Sequence, residues 1–380
     1  MAEKITFDDL KLNDNLLRGI YSHGFENPSP IQGKAIPHMN DKKDLVAQAQ
    51  SGTGKTGAFC IGVLNNIDPE SKTTQALIIN PTHELANQNF NVMKDLSSFM
   101  DVSVLSVVGG TNVRKCQEDL NKLPQIIVGT PGRLLDMIQK RYLITEHIKI
   151  LIFDEADEIL SFGFKESIYG IIQYIPKDTQ ICIYSATIPD EVLDLTDKFM
   201  NKPEKILVNK DKLTLDGILQ FYINVKVNDW KFDVLTDIYE TINVSQCIIY
   251  INSKNKLMEV NDRLKERGFP VECIHGELSG DLRKNIMEDF KSGKLRILLS
   301  TDLLSRGIDI QQLSLVINFD LPREKETYIH RIGRSGRYGR KGVSINFITD
   351  RDLEYQNEIK SFYETKIEEM PQNINDYLNI

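Results

Sequence analysis

Two α/β lobes in tandem, each built on a parallel β-sheet, are what this sequence predicts. A chain of 380 residues is too long for one comfortable core and suits two domains of ordinary size. Short Val/Ile/Leu-rich runs recur between helical patterns in both halves, and such near-continuous apolarity marks strands buried on both faces of a parallel sheet. Between the two series, Val208-Asn209-Lys210-Asp211-Lys212-Leu213-Thr214-Leu215-Asp216-Gly217 is polar and interrupted, as a flexible connection is. The boundaries that follow are a first domain at 1–208, a linker at 209–218 and a second domain at 219–380.

In the first half the apolar runs fall at 44–47, 76–80, 102–108, 125–128, 149–153 and 180–184. A second series begins near Leu219 and continues at 246–251, 271–274, 296–300, 315–319 and 343–348. In an open parallel sheet, ligands bind at the C-terminal ends of the strands, so the segments that follow these runs are where chemistry is expected. The halves look alike in architecture, but a phosphate-binding pattern occurs only in the first. That predicts one binding lobe and one completing lobe.

An apolar fraction of 41% with 26% charged residues is that of a soluble globular protein, and no stretch reaches the apolar length of a membrane span. The start, Met1-Ala2-Glu3-Lys4-Ile5-Thr6-Phe7-Asp8-Asp9, has no basic n-region and no apolar centre, so the expectation is an intracellular protein of the cytoplasm or nucleus. Cys60, Cys116, Cys182, Cys247 and Cys273 are odd in number and scattered through apolar runs, which predicts reduced core thiols and no zinc site. A net charge of −8 counts against a broad nonspecific hold on nucleic acid, so any polyanion must be gripped locally. One candidate is His330-Arg331-Ile332-Gly333-Arg334-Ser335-Gly336-Arg337-Tyr338-Gly339-Arg340-Lys341, where glycines let the backbone approach a ligand and arginines three apart can converge on one phosphate.

Two motifs carry the reaction class. Ala49-Gln50-Ser51-Gly52-Thr53-Gly54-Lys55-Thr56 follows the first apolar run and reads as a phosphate-binding loop, although Ala49 stands where the strict pattern has glycine. Asp154-Glu155-Ala156-Asp157 follows Ile150-Leu151-Ile152-Phe153 and sets adjacent carboxylates at a strand end. In order, the two predict an ATPase. Lys55 would neutralise the transferred phosphate, while Thr56 and Asp154 would hold Mg²⁺, partly through water. Glu155 would polarise the attacking water, and Asp157 would in part cap the helix that follows. Upstream, Gly24-Phe25-Glu26-Asn27-Pro28-Ser29-Pro30-Ile31-Gln32 offers an aromatic face and, at Gln32, an amide able to pair with both edges of adenine.

Further motifs continue the series: Pro81-Thr82-His83-Glu84-Leu85-Ala86, Gly109-Gly110, Thr130-Pro131-Gly132-Arg133, Ser185-Ala186-Thr187 and Thr301-Asp302-Leu303-Leu304-Ser305-Arg306-Gly307-Ile308-Asp309. With these in order, the chain resembles a DEAD-box ATP-dependent RNA helicase from end to end. Within that family it is most similar to the translation-initiation and exon-junction group, through Phe7-Asp8-Asp9-Leu10, Ser335 and Tyr338 in the arginine segment, and Glu368-Glu369-Met370-Pro371. The resemblance implies two RecA-like domains, ATP and Mg²⁺ as cofactors, and RNA as the partner of a monomeric enzyme. It implies that Phe25 and Gln32 recognise adenine and that Ser51, Gly52, Thr53, Gly54, Lys55 and Thr56 wrap the phosphates. Gly307 and Asp309 would meet the ribose, and Arg334 and Arg337 would act as arginine fingers. Thr82, Gly110, Thr130, Arg133 and Thr301 would line the RNA path along sugar and phosphate, which leaves sequence largely unread. Asp157, Ser185, Thr187 and His330 would couple the two ligands.

Two activities fit this resemblance. One is a helicase that parts short duplexes or remodels RNA–protein complexes in translation initiation or mRNA metabolism. The other is an ATP-gated RNA clamp that serves as a platform for partners, with a middle-domain scaffold protein as one such partner. The chain departs from the family at His83 and Phe162, where arginine is usual, and less consequentially at Ser305, where alanine is usual. A histidine cannot replace a permanently charged, forked donor, so weaker RNA affinity or weaker coupling is expected.

Overall fold

The computed structural model describes residues 5–49, 52–161, 163–206, 218–241, 246–302, 313–335, 342–371, 373–374 and 377. Ser51, Phe162, the connection at 209–217, Ser305, Gly307, Asp309 and Arg337 lie outside the described residues. The chain separates into two compact units, Met1–Val208 and Asn209–Ile380.

In the first unit, β1 (Leu45–Gln48), β2 (Ala76–Ile79), β3 (Val104–Val107), β4 (Ile126–Gly129), β5 (Ile150–Asp154), β6 (Gln180–Ser185) and β7 (Glu204–Ile206) form a parallel sheet. Among the described residues its order is β3-β4-β2-β5-β6-β1-β7. Helices α1 (Asp14–Ser22), α2 (Pro30–Asn40), α3 (Lys55–Asn66), α4 (His83–Leu96), α5 (Val113–Leu120), α6 (Pro131–Gln139), α7 (Ala156–Ser161), α8 (Lys165–Tyr174) and α9 (Asp190–Phe199) complete it.

Every residue of β2, β4, β5 and β6 is buried, because successive side chains enter opposite cores. Ile78, Val128 and Ile152 pack with Ile36, Phe59 and Met93 on one face. Leu77, Ile79, Ile127 and Leu151 pack with Leu134, Ile168 and Val192 on the other. This double burial is why the strands read as unbroken apolar runs. Strand β7, Glu204-Lys205-Ile206, lies at the sheet edge with no buried residue, and no apolar run announces it.

The second unit contains β8 (Ile218–Lys226), β9 (Cys247–Tyr250), β10 (Val271–Ile274), β11 (Ile297–Ser300), β12 (Leu315–Asn318), β13 (Gly342–Thr349) and β14 (Glu368–Glu369). Its helices are α10 (Lys231–Thr241), α11 (Lys254–Glu266), α12 (Gly280–Lys291), α13 (Lys325–Ile332) and α14 (Leu353–Phe362). The sheet is again parallel, in the order β10-β11-β9-β12-β13-β8-β14. Counted from the first strand of each unit, the two orders are the same permutation. Cys60, Cys116, Cys182 and Cys247 are buried and Cys273 is half-buried. Among the described residues, no helix is long and apolar enough to cross a membrane.

Candidate nucleotide and nucleic-acid site

Parallel strands in register end level with one another. Gln48 pairs with Ser185, Asp154 with Tyr184, Ile79 with Phe153 and Gly129, and Val107 with Gly129. The motif loops of the first unit therefore leave the sheet along a single edge. The phosphate loop after β1, the carboxylates ending β5 and Ser185 ending β6 stand on adjacent strands, while Thr82, Gly109-Gly110 and Thr130 follow the adjacent trio β2, β3 and β4. Strand order thus groups the motifs expected to meet nucleotide, the nucleotide half, apart from those expected to meet nucleic acid, the nucleic-acid half.

In the nucleotide half, Gly52 and Gly54 hold φ of 82° and 101°, a left-handed conformation that glycine adopts without a Cβ penalty. The loop so formed leads into α3, whose first residue is Lys55. Lys55 is 5% exposed; its Nζ donates to the Ala49 carbonyl at 2.9 Å and pairs with the Glu155 carboxylate at 3.3 Å. Gly52 and Thr53 are exposed and Thr56 is half-buried, and of this loop Lys55 is the residue whose contact with the carboxylates is direct. Glu155 holds φ 52°, rare for a non-glycine residue. Asp154 is 2% exposed, and its Oδ2 accepts hydrogen bonds from Asn89 Nδ2 at 2.7 Å and Asn80 Nδ2 at 3.4 Å. Burial, reinforced by the neighbouring Glu155 charge, pushes the Asp154 carboxyl up to about 7 against the opposing pull of Lys55 and Asn89.

Asp157 ties this half to β6. Its backbone N–H donates to Ser185 Oγ at 3.4 Å, and its Oδ2 accepts from Thr187 Oγ1 at 2.5 Å. Its Oδ1 also accepts from the Glu158 N–H at 3.0 Å inside the first turn of α7.

At the other end of the loop, Gly24 turns at φ 91° into Phe25, whose ring lies 6.4 Å from that of the fully buried Phe7 at 18° and meets the edge of His23 at 4.8 Å. Gln32 differs from the open amide that sequence suggests, being 4% exposed and committed within the protein. Its Oε1 accepts from Ser29 N at 2.9 Å, closing a capping box on α2, and its Nε2 donates to the Gly54 carbonyl at 3.2 Å. Gln32 thereby joins the start of α2 to the glycine turn before α3. A Cβ on Gly57 would stand 2.5 Å from Gln32 Nε2 and 3.0 Å from Phe25 Cε2, so this junction requires glycine.

In the nucleic-acid half, Thr82 is the N-cap of α4, its Oγ1 accepting from Leu85 N at 3.3 Å. Thr130 precedes α6 and accepts from Gly109 N at 3.4 Å. Gly110 is exposed at φ 72°, and Arg133 donates to Thr111 Oγ1 at 2.9 Å and to the Thr111 carbonyl at 3.0 Å. A Cβ on Gly109 would lie 3.1 Å from His83 Nε2, which puts His83 among the same loops.

In the second unit, Thr301 follows β11 and is half-buried. His330 and Arg334 are each 1% exposed, and Arg334 Nε donates to the His330 carbonyl at 3.2 Å. Arg331, which sequence places in a ligand-facing run, is fully buried instead. It donates to Asp302 Oδ1 at 2.6 Å, Asn252 Oδ1 at 2.6 Å, Asn318 Oδ1 at 3.3 Å and the Asp320 carbonyl at 2.7 Å. Three contributors to the nucleotide half escaped sequence reading: Gly57, Asn80 and Asn89. Only Gly57 left a sequence signal, a glycine in the first turn of the helix behind the phosphate loop.

Residues 29–195 match the DEAD/DEAH box helicase family, and residues 230–339 match the helicase conserved C-terminal domain. The chain belongs to the DEAD/DEAH box helicase family. Within it, the chain belongs with the ATP-dependent RNA helicases of the eIF4A kind. It is 55% identical over 370 residues to the ATP-dependent RNA helicase eIF4A of Eremothecium gossypii, covering 97% of this chain and 93% of that one. It is 51% identical over 373 residues to eukaryotic initiation factor 4A of Caenorhabditis elegans, covering 98% and 93%. Among solved structures, S. cerevisiae Dbp5 bound to RNA and ADP BeF3 matches with a TM-score of 0.93 at 34% identity over 98% of both chains.

Proposed function

We propose that this chain uses ATP turnover to part short RNA duplexes or remodel RNA–protein complexes, holding RNA by its backbone without reading sequence. The observation that carries the reading is the sorting of motifs along one sheet edge, three adjacent strand ends bearing phosphate chemistry and three bearing small and basic groups. The exposed N–H groups around Gly52 and Gly54 cradle phosphate oxygens, and Lys55 transfers its charge from Glu155 to the phosphate. Glu155, relieved of the lysine, takes the proton of the attacking water. Asp154 and Thr56 are the groups that would hold Mg²⁺; both offer hard oxygen, which suits that ion. When bound, Mg²⁺ neutralises charge that develops on the phosphates.

The contacts of Asp157 with Ser185 and Thr187 support a link between nucleotide and RNA. Thr82, Gly110, Thr130 and Arg133 are assigned to sugar and phosphate, and Phe25 with Gln32 to adenine. From the second unit, Thr301 is assigned to RNA, His330 to coupling, Arg334 and Arg337 to the γ-phosphate, and Gly307 and Asp309 to the ribose, on the resemblance of their motifs alone. The enzyme acts as a monomer inside the cell, with a middle-domain scaffold protein as its partner.

The test is ATP turnover with RNA, with DNA and with neither, alongside displacement of a short RNA strand, for the parent and Glu155→Gln. RNA-dependent turnover that drops about 10²- to 10⁴-fold in the variant, with nucleotide binding kept, is expected. Turnover that ignores RNA, or a variant as fast as the parent, overturns the assignment. RNA-dependent turnover without strand displacement would favour the clamp.

A further inference from the structure

The carboxylate assigned to the cation is itself held from behind. Asp154 Oδ2 accepts Nδ2 hydrogens from Asn89 on α4 and Asn80 just past β2, and the Asp154 carboxylate also accepts the Glu155 backbone N–H. Both asparagines are 0% exposed. Each also leaves its Oδ1 buried with no hydrogen-bond partner among the described residues. A buried amide with an unpaired oxygen is destabilising, and an apolar side chain of similar volume would avoid that cost. Two such amides directed at one carboxylate oxygen therefore point to a purpose other than packing.

We propose that Asn80 and Asn89 are positioning residues that fix the Asp154 carboxylate for the cation arriving with nucleotide. This rests on the assignment of Asp154 to that cation. With Oδ2 engaged by both amides, the Asp154 carboxylate is held in one orientation and would not have to be reoriented for the cation. Partners of this kind behind a metal ligand commonly change metal affinity about 10- to 100-fold. Asn89, at 2.7 Å, carries more of the effect than Asn80, at 3.4 Å.

The experiment titrates Mg²⁺ into the full chain with a fluorescent nonhydrolysable ATP analogue, and repeats the binding in EDTA, for the parent, Asn89→Leu, Asn80→Ala and Asp154→Asn. Mn²⁺ binding by electron paramagnetic resonance gives a second readout, independent of turnover. Asn89→Leu is expected to need about tenfold more divalent ion for half-maximal tightening, with affinity in EDTA unchanged, and Asn80→Ala to show a smaller shift in the same direction. A purely structural role would lower the unfolding temperature and leave the divalent curve in place. Should Asn89→Leu fail to fold, Asn80→Ala decides. Asparagine variants that follow the parent curve while Asp154→Asn departs from it overturn the positioning role. If Asp154→Asn also follows the parent curve, the cation assignment fails and the proposal falls with it.

Discussion

After β1 the chain turns through Gly52 and Gly54 into α3, whose first residue, Lys55, pairs with Glu155 just past β5. β8, the strand in the same place in the second sheet, ends at Lys226, which holds φ 64°, and the chain passes through Asn228–Trp230 into α10. The first residue of α10 is Lys231, 4% exposed, and its Nζ pairs at 2.9 Å with Asp320 just past β12. Each unit thus spans the corresponding strand ends with a buried lysine and a carboxylate. Among the described residues, only the first of these turns carries glycines, at Gly52 and Gly54. The lysine–carboxylate bridge belongs to the architecture, and the glycine turn is what distinguishes the bridge we assign to phosphate. A second contrast concerns the cations. Lys55 has one carboxylate that a phosphate can displace, whereas Arg331 is tied to four acceptors and lies 5.1 Å from the Tyr250 ring centroid.

If the second unit's cations are structural, Arg331→Met should have the largest effect. It strands Asp302, Asn252 and Asn318 and is expected to cost about 3–5 kcal/mol, read as lost hydrogen-exchange protection in β9, β11 and β12. Unchanged protection would break the contrast. Next, Lys55→Met should cut turnover roughly 10²- to 10³-fold, by analogy with removal of other preorganised charge-stabilising donors, and should also lower stability because it leaves the buried Glu155 carboxylate unpaired. Lys231→Met should cost about 1–3 kcal/mol in urea unfolding while ATP binding and turnover stay as they were. A turnover defect in Lys231→Met would show that its bridge also serves the reaction.

Smaller effects test the turns themselves. Gly54→Ala forces a Cβ to φ 101° and to 2.7 Å from Ser29 Oγ, so nucleotide affinity should fall about tenfold, corresponding to the roughly 1–3 kcal/mol cost of such strain. Lys226→Gly, at the matching turn, should change unfolding free energy by under about 1 kcal/mol. Equal sensitivity at both turns would contradict the difference in role. Smallest of all, His83→Arg should tighten RNA binding less than about tenfold and steepen its salt dependence by about one counterion. Identical salt slopes would mean that His83 does not face RNA.

Legibility in the sequence followed burial. Strands covered on both faces announced themselves as apolar runs, and the positions of the motif glycines and carboxylates at strand ends were legible because such placement is local. The edge strands β7 and β14, with their charged residues, were invisible, as was the full length of β8. Pairings across long separations left no pattern either. Nothing near Asn89 in sequence indicates that it meets Asp154, 65 residues away. The arginine segment misled for the same reason, since alternation with glycine suggests a ligand-facing run and cannot reveal that Arg331 turns inward to strand ends scattered through the chain.

Glu155 holds the proposed base in a left-handed backbone conformation, at φ 52°. Strain of this kind costs a non-glycine residue on the order of 1–3 kcal/mol, so Glu155→Gly removes the carboxylate and the strain together. Most inactivating changes also weaken a fold and send the chain to proteolysis. This one should escape quality control, leaving a durable protein that occupies RNA and does not turn over. Steady-state abundance of Glu155→Gly at or above that of the parent in the same cells is the expected signature, and a depleted variant would show that the carboxylate contributes more to the fold than its backbone conformation costs.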